Sequence, residues 1–166
     1  MLYEDLEMTD IGYELRKAPG KGEGVFATKA FKKGDIIMVG HIVEYLDSNN
    51  SHAAQISENV FVRHKGIIHK INHCCEPNCG IHVNATGAHD VIARKPIKPG
   101  EELSLDYAMR NYRIEYFPKH CRCGAPNCRG KITGWKDLPA SRKQEYIGFI
   151  APYLLEMDKK YLRHTG

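Results

Sequence analysis

No run of about 18 apolar residues occurs in the chain, so no segment reads as a membrane-spanning helix and no membrane partner is expected. Blocks of basic residues are missing too; Lys32-Lys33 is too short to read as a nuclear-import signal. Twenty-four basic residues against 20 acidic ones leave a net charge of +4, which permits an anionic partner but is no nucleic-acid stripe. Direct nucleic-acid binding is therefore not expected. The opening MLYEDLEMTD is acidic and has no apolar stretch, so it does not read as a secretory signal. The expected location is intracellular, cytoplasmic or nuclear, where thiols stay reduced. Internal repeats and low-complexity tracts are absent. Gly20-Lys-Gly-Glu-Gly24 lacks the strand-to-helix context of a dinucleotide site and the Gly-Lys-Ser/Thr of a phosphate loop.

What remains is an ordinary globular composition, with 42% apolar and 27% charged residues in a chain of 166. Tyr13 to Lys17 alternates and reads as a strand. From Val25 to about Ile92 short strands are expected, with turns at Lys33-Gly34-Asp35 and at 47–51, and with Val60–Val62 and Gly66–Ile68 as short apolar pieces. Ile81–Asn84 and Asp90–Ala93 read as hairpin arms, and Glu102–Tyr107 as a last strand after Pro99-Gly100. Residues 108–120 are rich in Tyr and charge and read as partly helical. In the tail, Ser141 is placed to cap a helix over 142–150, and Pro152 to open a second helix through about Leu162.

The sharpest local signal is Cys121-Arg-Cys123-Gly-Ala-Pro-Asn-Cys128. Three thiols in eight residues, on a loop bent by Gly124 and Pro126, suit a tetrahedral zinc site that still needs a fourth ligand. Cys74, Cys75 and Cys79 are the remaining thiols, and any of them closing the site would pin the C-terminal segment to the body of the domain. Disulfides or three unrelated buried thiols are the alternatives. Asn72-His-Cys-Cys-Glu-Pro-Asn-Cys79 reads as a polar loop bonding ligand or backbone. Gly100-Glu-Glu-Leu-Ser-Leu-Asp-Tyr107 places a phenol at the end of a strand, where packing is its ordinary role.

Taken in order, Lys21-Gly-Glu-Gly-Val-Phe-Ala27, Asn72-His-Cys-Cys-Glu-Pro-Asn78, Gly100–Tyr107 and Cys121-x-Cys-x4-Cys128 resemble the SET-domain protein lysine methyltransferases with a post-SET zinc motif. The resemblance spans roughly residues 13–130. It implies a mainly β, β-clip-like SET fold of small curled antiparallel sheets. In that fold the strand carrying Leu103 to Tyr107 passes under the Asn72-His73 loop as a pseudoknot. A zinc-binding post-SET loop and a short helical C-terminal tail follow. The implied divisions are an N-terminal segment (1–12), the SET domain (13–118), the post-SET motif (119–135) and the tail (136–166).

The resemblance also implies S-adenosylmethionine as methyl donor and one structural zinc ion. Lys21, Gly22, Glu23, Gly24, His52, Asn72, His73 and Tyr107 are the implied cofactor-binding residues, with Tyr107 as the catalytic phenol. Cys75 is the implied fourth zinc ligand beside Cys121, Cys123 and Cys128. Leu105, Trp135 and Tyr112 are candidates for the substrate channel, with Tyr116 and Phe117 as further aromatic candidates; Trp135 serves equally well as an anchor for the tail. The implied partner is a protein presenting a lysine, such as a histone tail, met by an acidic groove to which Glu101, Glu102, Asp106 and Glu115 are candidates to contribute. Leu105 carries no hydroxyl, so transfer of more than one methyl is expected. A SET-like module without catalysis, serving as a zinc-containing protein-binding domain, is the alternative.

Overall fold

Tyr13–Ala18 (β1) and Gly22–Ala27 (β2) form an antiparallel hairpin in the computed structural model, which describes residues 11–115 and 120–162. Two three-stranded sheets follow. Ile36–Met38 (β3), Cys79–Val83 (β8) and His89–Ala93 (β9) assemble in the order β3-β9-β8. Ile42–Leu46 (β4), Ala54–Ser57 (β5) and Val60–His64 (β6) assemble in the order β4-β6-β5. The fourth pairing is parallel: Asn72–His73 (β7) with Ser104–Leu105 (β10), in the register Ser104 to Asn72 and Leu105 to His73. This is the mainly β arrangement of small sheets expected from the sequence.

Residues 100–107 organise the centre because they border two partners in turn. Leu103 donates its N–H to the Val25 carbonyl at 2.7 Å, and Ala27 donates to the Glu101 carbonyl at 2.9 Å, so the segment first runs along β2. Two residues later it runs along β7, where Cys74 N–H donates to the Leu105 carbonyl at 2.9 Å. Asn78 clasps it from the far side, its side-chain amide donating to the Glu102 carbonyl at 2.9 Å while its side-chain oxygen accepts from Ser104 N–H at 2.9 Å. The apolar residues Val25, Ile71, Ile81, Leu103, Leu105 and Met109 close the core around this crossing. Burial of that apolar surface is the main stabilising term.

The strand expected over Glu102–Tyr107 is thus short. It breaks because Asp106 caps a 3-10 turn over Tyr107–Met109, its side chain accepting from Ala108 N–H at 3.1 Å. Within 107–115 this turn is the helical content, and Gly66–Ile68 leads into another 3-10 turn over Ile68–Lys70. Two α-helices form the tail. Ala140–Tyr146 (α1) starts after Pro139, with Ser141 inside its first turn rather than capping it. It stops at Tyr146, short of the expected Ile150, because Gly148 turns the chain at φ +90° and Phe149 then accepts the Ile81 N–H at 2.8 Å on β8. Tyr153–Leu162 (α2) begins just after Pro152 as expected, with Leu154 and Met157 buried. The tail is therefore core, through Tyr146, Ile150, Leu154 and Met157. Among the described residues no helix is long and apolar enough to cross a membrane. The aromatic candidates Tyr116 and Phe117 and residues 1–10 of the N-terminal segment lie outside the described residues.

Candidate active site

The crossing of 100–107 with β2 and β7 puts three sequence-remote motifs edge to edge. Gly24 permits the first approach: a Cβ there would lie 2.6 Å from Glu102 Oε1 and 3.1 Å from Asn72 Nδ2. In that space the Asn72 amide donates to the Glu23 carbonyl at 2.9 Å and to Glu102 Oε1 at 2.8 Å. Lys21 reaches the other oxygen of the same carboxylate at 3.1 Å. Glu102 thereby fixes the side chains of both Lys21 and Asn72.

His73 is 7% exposed, and burial first of all holds its imidazole down to about 4, against the favourable but weaker pull of Asp106. The ring is neutral near pH 7. Its Nδ1 accepts the Tyr107 N–H at 3.2 Å, which assigns the ring proton to Nε2, 3.5 Å from Cys75 Sγ. Tyr107 meets the same imidazole edge-on at 5.3 Å and donates its hydroxyl to the Ile71 carbonyl at 2.7 Å. Burial raises the phenol above its ordinary value, so Tyr107 remains protonated near neutrality.

Gly20, Lys21, Asn72, His73 and Tyr107 line one cleft of about 430 Å³, together with His120, Cys121, Arg122, Cys123 and Ile132. That volume falls in the range of small-molecule sites, roughly 300–1,000 Å³. Gly22, Glu23 and Gly24 continue from Lys21 along β2 beside it, with the Glu23 carbonyl held by Asn72. Leu105 is buried beneath, paired with His73. Three candidates lie elsewhere. His52 is exposed, its ring 5.4 Å from that of His69. Tyr112 stacks on Tyr161 at 5.6 Å and lines a separate cleft of about 530 Å³ with Gln55 and Glu58. Trp135 is 1% exposed and its indole N–H donates to Asp158 of α2 at 2.8 Å. Lys143 of α1 sits 5.1 Å above its ring.

The sulfurs of Cys75, Cys121, Cys123 and Cys128 all lie within 4.8 Å of one another. A tetrahedral zinc with bonds of about 2.3 Å requires sulfurs roughly 3.8 Å apart, and Cys75 and Cys121 are 3.8 Å apart. Four soft thiols at that spacing fit zinc. Backbone N–H groups already point at them: Cys75 at Cys123 Sγ, Arg129 at Cys75 Sγ, and Gly130 at Cys128 Sγ. No cysteine is disulfide-bonded. Cys79, outside the cluster, is packed in the core, where burial pushes its thiol up to about 12.

Sequence reading missed the groups that tie this cluster to the cleft. Arg129, the residue after Cys128, grips Asp106 with both terminal nitrogens at 2.6 and 3.0 Å. Asp106 is wholly buried, and Tyr146 of α1 donates its hydroxyl to the same carboxylate at 2.8 Å. One carboxylate thus joins the strand carrying Tyr107, the cysteine loop and the tail. Asp106 is neutralised there and contributes nothing to an acidic groove; Glu102, held by Lys21 and Asn72, is likewise committed. The signal for Asp106 and Arg129 was their adjacency to Tyr107 and Cys128. For Tyr146 the tail's apolar pattern held none.

A family profile described as SET domain matches residues 22–108. The curated histone-lysine N-methyltransferase Su(var)3-9 of Drosophila melanogaster is 32% identical over 150 residues, covering 69% of this chain and 24% of that protein. The H3 lysine-4 specific histone-lysine N-methyltransferase of Saccharomyces cerevisiae is 33% identical over 90 residues, covering 51% of this chain and 8% of that protein. The chain therefore spans less than a quarter of the length of these relatives. Among solved structures, KRYPTONITE in complex with mCHH DNA, an H3(1-15) peptide and SAH superimposes with a TM-score of 0.58 at 24% identity, covering 72% of this chain and 29% of that one. That likeness establishes the fold.

Proposed function

The chain belongs to the SET-domain family, and on that premise we propose that it transfers a methyl group from S-adenosylmethionine to the side-chain amine of a lysine in a protein. One observation carries this reading: a single cleft is bordered by Gly20-Lys21, Asn72-His73, Tyr107 and the loop 120–123. The donor, when bound, supplies an electrophilic methyl on a sulfonium. Lys21 would hold its carboxylate end, and Asn72, His73 and the Glu23 backbone would contact the rest of the donor. Zinc held by Cys75, Cys121, Cys123 and Cys128 would brace the wall at 120–123. Trp135 is assigned to anchoring the tail.

The reaction needs a neutral amine, whereas free lysine has a pKa of about 10.4. Apolar burial next to a cationic sulfonium lowers that value. The bound donor would supply the methyl to the nitrogen lone pair and keep the S–C electron pair on its sulfur, and the excess proton of the alkylated amine would pass to water. Tyr107 need not act as base. Its proton is directed to the Ile71 carbonyl, so toward the amine its oxygen would act as an acceptor that orients the nitrogen and favours the developing charge.

The substrate class we assign is a basic protein segment such as a histone tail. Labelled S-adenosylmethionine incubated with a histone and cell-lysate panel tests the reading. Label is expected on lysine nitrogens, and mass spectrometry should show at least two methyls on the target, since Leu105 offers no hydroxyl to hold a space-filling water. A product stopped at one methyl contradicts the assignment of Leu105. No transfer to any panel member contradicts the enzyme and leaves the non-catalytic binding module.

A further inference from the structure

A buried cation without a counter-ion stands against the face of Tyr107. Arg110 is 5% exposed, and its guanidinium carbon lies 5.2 Å from the centroid of the Tyr107 ring. Among the described residues no carboxylate lies within ion-pair distance of it, and its Nε has no hydrogen-bond partner. A buried cation is ordinarily neutralised, as Arg129 is by Asp106 in this same protein. Here the neighbours are a π face and two imidazoles.

Those imidazoles are His64 of β6 and His89 of β9, with ring centroids 5.5 Å apart. His64 Nε2 accepts the His89 N–H at 3.0 Å, and neither ring nitrogen of His89 has a partner. Burial first, then the positive Arg110, holds His64 down to about 4; burial first, then His64 and after it Arg110, holds His89 well below its ordinary value. Both rings are therefore neutral near pH 7 and do not screen the guanidinium. Of the carboxylates near Tyr107 and these rings, Glu102 is held by Lys21 and Asn72, and Asp106 is neutralised by Arg129. Asp90, bonded to Asn84 and to Gly40 N–H, keeps its charge and pulls His64 up less than Arg110 pushes it down.

We propose that Arg110 is a positioning residue for methyl transfer, whose uncompensated guanidinium holds the Tyr107 ring and supplies a fixed positive field that favours the neutral form of the incoming lysine amine. The inference rests on the methyltransferase reading for its consequence. The chemistry explains why no acid stands beside Arg110: a carboxylate there would cancel the field and attract the ammonium form, which cannot react. One full charge a few ångströms from the phenol, in surroundings of effective dielectric near 20, shifts a neighbouring ionisation by on the order of one pH unit.

Single-turnover transfer to a lysine peptide at saturating S-adenosylmethionine, measured across pH, is the test. For the wild type the rate rises with pH as the amine loses its proton. In Arg110→Met that limb should move up by about one unit, cutting the rate near pH 7 roughly tenfold and restoring it in alkali. Arg110→Lys keeps the charge and should keep the limb in place. An unmoved limb in Arg110→Met, or an equal loss at every pH, overturns the inference. A second readout does not need activity: the ionisation of Tyr107, followed by NMR of tyrosine labelled at Cζ and assigned by its loss in Tyr107→Phe. It should move to higher pH in Arg110→Met and stay in Arg110→Lys; no movement overturns the field. Movement in a protein that transfers no methyl would retain the field and overturn the methyltransferase reading instead.

Discussion

Tyr107→Phe lowers the rate of methyl transfer by roughly 10²–10³ while S-adenosylhomocysteine binds within about twofold of its wild-type affinity. The substitution removes one oxygen and leaves the ring. The ring is fixed independently of that oxygen, by the edge contact with His73 and by the guanidinium of Arg110. The backbone N–H that reaches His73 Nδ1 is also untouched. The cleft therefore keeps its shape, and the deficit should fall on kcat rather than on binding. Some local cost is expected, because the Ile71 carbonyl loses the donor it has at 2.7 Å, about 1 kcal/mol for such a bond. Steady-state kinetics beside calorimetric titration separates the two effects. Full activity in the variant would mean that the phenol has no part in the chemistry.

Arg129→Met destabilises the fold by about 3–5 kcal/mol, because it strands a buried carboxylate. Asp106 is wholly buried and receives both terminal nitrogens of Arg129. Met keeps an unbranched stem, stops short of the guanidinium and neutralises nothing. For a domain of this size that loss lowers the melting temperature by on the order of 10 °C. Thermal and urea unfolding measure it. Arg129→Met combined with Asp106→Leu should recover a substantial part of the stability, since no charge is then left unpaired. Activity should not recover with it, because Asp106 also caps the turn that carries Tyr107. A single variant within about 1 kcal/mol of wild type would show that the pair contributes little.

These two residues mark where sequence reading reached and where it stopped. Local chemistry was legible. The cysteine spacing pointed to a metal-ligand cluster because three of its four thiols fall within eight residues of one loop. The convergence of motifs was legible through the resemblance alone, since nothing in a periodicity says that Ser104-Leu105 lies parallel to Asn72-His73. Asp106 read as a candidate for an acidic groove because its burial depends on a partner 23 residues away. Tyr146 looked apolar because its hydroxyl acts only once α1 is docked. The end of α1 was misplaced by four residues, since Phe149 is drawn to β8 by a hydrogen bond no local pattern encodes. His52 and Tyr112 fell outside the cleft for a similar reason: both sit in or beside the β4-β6-β5 layer, whose placement depends on long-range packing.

Titration of the isotopically labelled protein with S-adenosylhomocysteine, followed by backbone amide NMR, tests most directly that four remote segments build one donor site. The amides of Gly20-Lys21, Asn72–Cys74, Tyr107 and 120–123 should shift together with a single affinity. Shifts confined to the cleft between Tyr112 and Tyr161, or no saturable shift at all, would contradict it.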